Sequence, residues 1–82
     1  MKSQPRKIST IAYEILNNWK KPYFGAVPYL EAMKSLGSIQ ENYYLDTAES
    51  VVLYFLSNAQ TWRGETARRI KKELKEILKD AE

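Results

Sequence analysis

The run DTAESVVLYFL, Asp46 to Leu56, decides how this chain is built. Six apolar residues stand together from Val51 to Leu56. With two valines and two aromatics they suit either a buried strand or a helix apolar most of the way round. Asp46 and Glu49 have the spacing of a capping box, which places Asp46 as the N-cap of a helix. The apolar pattern is long for a strand, and no other segment reads as its partner. The run is therefore read as a helix, with Glu49, Ser50, Ser57 and Gln60 as its narrow polar strip. A helix this apolar calls for cover on several sides, which puts it at the centre of the fold with Phe55 in the core.

Beyond this run the register decides where Trp62 belongs. Ala48, Val51, Val52, Phe55, Ala59 and Trp62 share one face of the third helix when its period is extended. Ala67, Ile70, Leu74, Ile77, Leu78 and Ala81 line one face of a fourth helix, whose register would put Trp62 on the wrong side. Trp62 is thus expected in the core, with Arg63 and Gly64 as the corner and Glu65 in the first turn of the fourth helix. Thr61 as N-cap of that helix is the alternative.

Towards the N-terminus, Ile8, Ile11, Ala12, Ile15, Leu16 and Trp19 form the stripe of a first helix. Lys20 and Lys21 suit its negative end, and Pro22 stops it. Tyr23 and Phe24 lie in the connector KPYFGAV and are expected to tuck under it. Pro28 starts a short second helix, PYLEAMKSL, with Tyr29, Met33 and Leu36 on one face. Gly37 is expected to end it in a left-handed conformation. Ser38 and Glu41 again have capping spacing, which serves a further helical turn or a loop. The fold class is all-α: a bundle of four helices, one short, over residues 8–82, preceded by a disordered basic tail at 1–7.

Composition narrows the chemistry. The 82 residues include no cysteine and no histidine, which excludes disulfides, thiolate or imidazole metal sites, and catalysis by those side chains. A domain of this size buries only about 60–65% of the surface its unfolded chain exposes. The acidic residues are scattered singly, and each of the three glycines punctuates a connection, so no carboxylate pair or phosphate loop is legible. No run approaches the roughly 20 apolar residues that cross a bilayer. The expectation is a cytoplasmic protein that is not an enzyme and has no cofactor or metal.

Charge is uneven within the formal net of +3. Residues 1–22 and 61–82 are net basic, whereas 23–60 carry Lys34 against Glu31, Glu41, Asp46 and Glu49. On the fourth helix Arg68, Lys71, Lys72, Lys75 and Lys79 gather along one flank, with Glu65, Glu73, Glu76, Asp80 and Arg69 behind them. That flank is either a solvated face laced with pairs such as Glu65–Arg69 or a track for phosphates. Tyr13, Tyr43 and Tyr44 are candidates for exposed anchors of a partner. Trp19, Gly37, Asp46, Phe55, Trp62 and Gly64 are assigned structural roles.

The pattern WKKPYFGAVPYLEAM followed by YYLDTAESVVLYFLSNAQTWRGETARRIKKEL resembles small helical proteins of phages and mobile elements of Gram-positive bacteria, over about Ile8 to Leu78. The resemblance implies an accessory role and carries no functional residue over. The function expected is a small interaction module whose partner is another protein. The alternative is a nucleic-acid-binding accessory protein that uses the basic flank.

Overall fold

The computed structural model describes residues 5–81. Among them the chain forms α1 (Ile8–Asn18), α2 (Val27–Met33), β1 (Asn42–Tyr43), β2 (Asp46–Thr47), α3 (Ala48–Ser57) and α4 (Glu65–Ala81). Four helices form as expected, but a two-stranded antiparallel ribbon interrupts them, so the fold is not purely all-α. Asn42 pairs with Thr47 and Tyr43 with Asp46, around a two-residue turn at Tyr44 and Leu45. Strands of two residues leave almost no period-2 pattern for a sequence reading to find.

The ribbon also moves the start of α3. The ladder holds Asp46 and Thr47 alike, so α3 begins only at Ala48 and Thr47 is the N-cap in place of Asp46, its side chain accepting from the Ser50 backbone N–H at 3.1 Å. Glu49 still falls in the first turn, where the helix dipole favours a negative charge. Ala48, Val51, Val52 and Phe55 are buried, and Ala59 and Trp62 continue that face beyond the helix end.

α3 is covered on several sides, as expected, but not all the way round. It packs against α2, α4 and both strands, yet Leu53 is 54% and Tyr54 is 55% exposed. The reason is dimensional. The backbone measures 32 × 32 × 18 Å, and with helices about 10 Å across the thin axis holds only two layers. No helix in such a slab is enclosed.

α1 buries Ile8, Ile11, Ala12 and Ile15, and Trp19 at its C-cap completes the stripe. Its first turn has no side-chain cap. The Ile8 and Ser9 amides instead donate to the carbonyls of Gly37 and Leu36, at 3.0 and 2.7 Å. Gly37 is therefore an anchor for α1 and not the left-handed end of α2, which stops earlier, at Met33. Gly64 is the glycine with positive φ, at 113°. The Glu41 carboxylate accepts from the Gly37 and Ser38 amides at 3.0 and 3.1 Å, so the second capping spacing shapes a loop. Lys20 and Lys21 lie past the end of α1, whose last turn holds no basic residue.

The basic tail expected at 1–7 falls outside the described residues at 1–4. Arg6, by contrast, is tied down. Its guanidinium donates two hydrogen bonds to the Glu73 carboxylate, at 2.9 and 2.7 Å, and pairs with Glu14 at 2.8 Å. Arg69 of α4 also pairs with Glu14. Two guanidinium groups thus pull the Glu14 carboxyl below its ordinary range, Arg6 contributing most. The carboxylates in turn hold Arg6 above the usual guanidinium range, Glu73 first. This four-charge network pins Arg6 and α1 against α4.

Candidate interaction surfaces

The third corner of the bundle is built around Trp62. It is 2% exposed and stacks on Trp19, with ring centroids 5.7 Å apart and planes at 15°. Phe55 meets both indoles edge-on, at 6.5 Å in each case. Every polar group of Trp62 has a partner. Its amide donates to the Ala59 carbonyl, its indole N–H donates to Asn18 Oδ1 at 2.9 Å, and its carbonyl accepts from Lys71 Nζ at 2.7 Å. Gly64 then turns the chain, and its carbonyl accepts from the Arg68 amide as α4 begins at Glu65. Thr61 lies before the corner and caps nothing.

Lys71 therefore differs from its neighbours on the basic flank. Its ammonium is half-buried, 6.0 Å from the Trp62 ring centroid, where the ring face attracts a cation. Burial lowers its pKa, and repulsion from Lys75 and Arg63 lowers it further. Arg68, Lys72, Lys75 and Lys79 are exposed. Glu65–Arg69 pairing is not what the structure shows, because Arg69 reaches across to Glu14. The ion pairs of Arg69 with Glu14 on α1, and of Glu73 with Arg6 just before it, lie on the flank of α4 that faces α1.

A second surface was not anticipated. Phe24 is 79% exposed and Tyr23 lies beside it, centroids 4.8 Å apart, so the connector aromatics do not tuck under. Tyr23 borders a shallow groove of about 290 Å³ with Ser57, Asn58 and Gln60 of the α3 end. The Asn58 side-chain amide donates to the Tyr54 carbonyl, and the Tyr54 ring stacks on Tyr29 at 5.6 Å. Leu53 and Val27 are exposed beside these residues in the chain. One aromatic face thus runs from the α1–α2 connector to α3. Its signal in the sequence was the excess of apolar residues in Val51–Leu56 over what one helix face holds.

Of the tyrosine candidates, Tyr43 is half-buried against the core, whereas Tyr44 is 87% exposed at the ribbon tip with φ 55°. Leu45 beside it is fully exposed. Left-handed backbone is uncommon for an aromatic residue, and such tips usually carry glycine or asparagine. Tyr13 is exposed on α1 with the Lys34 ammonium 5.8 Å from its ring centroid.

No protein-family model, curated protein or solved structure matches this chain. Among the described residues no group of acidic side chains is arranged to hold a metal ion, and no helix is long and apolar enough to cross a membrane.

Proposed function

We propose that this protein is a non-enzymatic interaction module that binds a partner protein through the aromatic face between the α1–α2 connector and α3. The observation that carries the reading is that face itself: Phe24 exposed against Tyr23 at the connector, with Tyr54 and its chain neighbour Leu53 also exposed on α3, on a domain with little apolar surface to spare. Small soluble domains rarely leave linked apolar groups in water without using them, and tyrosine is a favoured anchor at interfaces. The accessory role implied by the sequence resemblance fits a module of this kind.

Charge suggests the partner's chemistry. Asp46 and Glu49, at the start of α3, form no ion pair among the described residues. A partner segment that offers apolar side chains beside a lysine or arginine complements both features.

The test is affinity capture from nuclease-treated host extract with the wild type and a Phe24→Ser/Leu53→Ser double variant. The exposed positions predict an unchanged circular dichroism spectrum and loss of the captured protein. Equal capture by both proteins refutes the reading. If light scattering instead shows a wild-type dimer that the variant disperses, the face joins two copies of this chain.

A further inference from the structure

We propose that the flank of α4 bearing Arg68, Lys72, Lys75 and Lys79, with Arg63 and Lys71 at its N-terminal end, binds the phosphodiester backbone of a nucleic acid. The surface is separate from the aromatic face, and the inference does not depend on that face having a partner.

The first support is the way α4 divides its charges. Glu73 and Arg69 are spent on Arg6 and Glu14, on the flank towards α1. On the other flank Arg63, Arg68, Lys72, Lys75 and Lys79 make no ion pair among the described residues.

The second support is Lys71. Its ammonium is held in place by the Trp62 carbonyl at 2.7 Å and lies near Arg63 and Lys75, both of which repel it. A fixed, partly desolvated cation among like charges is a site where an arriving anion relieves repulsion.

The third support is length. Arg68, Lys72, Lys75 and Lys79 are three or four residues apart, so at 1.5 Å per residue the row runs about 16 Å. That spans about five phosphates of one duplex strand, at 3.4 Å each, and is far longer than one free phosphate requires. An anionic lipid surface has a similar charge density, but an interfacial helix inserts apolar side chains beside its cations. The exposed residues of α4 are polar, with Ile70, Leu74 and Ile77 turned into the core. With no exposed aromatic on the flank to stack bases, recognition is of backbone and blind to sequence.

The experiment is fluorescence anisotropy of a labelled 20-nucleotide single strand and its duplex with the full chain, over a salt series. Vesicles with and without anionic lipid form a third arm. Four phosphate contacts predict a log-log salt slope near −3.6 for duplex, about a hundredfold loss of affinity between 0.05 and 0.2 M salt. Lys72→Gln, Lys75→Gln and Lys79→Gln together keep good helix formers and should weaken binding at least tenfold at 0.1 M salt. Gln40→Glu, Asn42→Asp and Gln60→Glu together make the same change in net charge away from α4 and should weaken it less than threefold. In the complex the Lys71 ammonium, followed by NMR, should titrate at higher pH than in the free protein. Equal losses in the two triple variants, no oligonucleotide binding at 0.05 M salt, or binding to anionic vesicles alone would each overturn the proposal.

Discussion

Gly64→Ala isolates the energy of one backbone conformation. Gly64 has φ 113°, and an alanine Cβ placed there meets no atom within 4 Å. No steric contact with another residue enters the cost, which is the strain of holding an L-residue where only glycine is at ease. Residues held in such regions cost about 1–3 kcal/mol each. Alanine also reduces the freedom of the unfolded chain, which offsets about 0.4–1 kcal/mol where the native conformation is compatible, as it is not here. A net loss of about 2 kcal/mol is expected. For a domain of this size each kcal/mol moves the melting temperature by roughly 4–8 °C, so the midpoint should fall by roughly 8–16 °C. Urea titration should show a lower midpoint with unchanged slope, since the buried surface is the same. Gly37→Ala is the control. Its added Cβ meets only the tip of the Glu41 side chain, at 2.8 Å, and its backbone has no positive φ, so a loss below about 1 kcal/mol is expected. A Gly64→Ala protein as stable as the wild type, or more so, would mean that Gly64 continues a helix and that the corner between α3 and α4 is wrongly placed.

Phe55→Ala removes a fully buried ring that touches both indoles and should cost about 3–5 kcal/mol, read by urea titration; a loss under 1 kcal/mol would mean that the aromatic cluster is loosely packed. Trp62→Phe keeps most of the ring volume but leaves Asn18 Oδ1 without its donor, and should cost less than Trp62→Ala by at least about 1 kcal/mol. Glu14 has its folded pKa below the unfolded value near 4.3, so the unfolded state binds more protons between them. Its contribution is then fully present above about pH 5 and is lost as pH falls through the folded pKa. Glu14→Gln should therefore cost about 1 kcal/mol at neutral pH, discounted for partial exposure, and flatten the acid limb of the stability curve; an unchanged limb would show that the network adds nothing.

The four helices were legible because each carries an apolar period that burial rewards whatever its neighbours do. The Ile8–Trp19 stripe and the Ala67–Ile77 stripe are buried along the faces their spacing defines. Placing Trp62 with the third helix needed only the clash between two registers, and Gly64 as a corner needed only its place between two apolar faces. Local chemistry read less well where two residues competed for one task. Asp46 and Thr47 are both good caps, and the choice fell to Thr47 because the ribbon holds both residues extended and α3 begins directly after them, at Ala48.

What tertiary structure decided was which charges and which apolar groups were left over. Helical spacing placed Glu73 and Arg69 on the same face of α4, but their partners are Arg6 and Glu14, 67 and 55 residues away in sequence. Pairing over such distances leaves no periodic trace, so the sequence alone did not tell which charges of α4 are tied to the rest of the fold. Lys71 read as one more solvated lysine until the corner brought the Trp62 carbonyl to it. Leu53 and Tyr54 belong to an apolar run that suggests burial, and only the two-layer thickness of the domain leaves them in water. A sequence records which side chains prefer to leave water. The number of layers determines how many of them can.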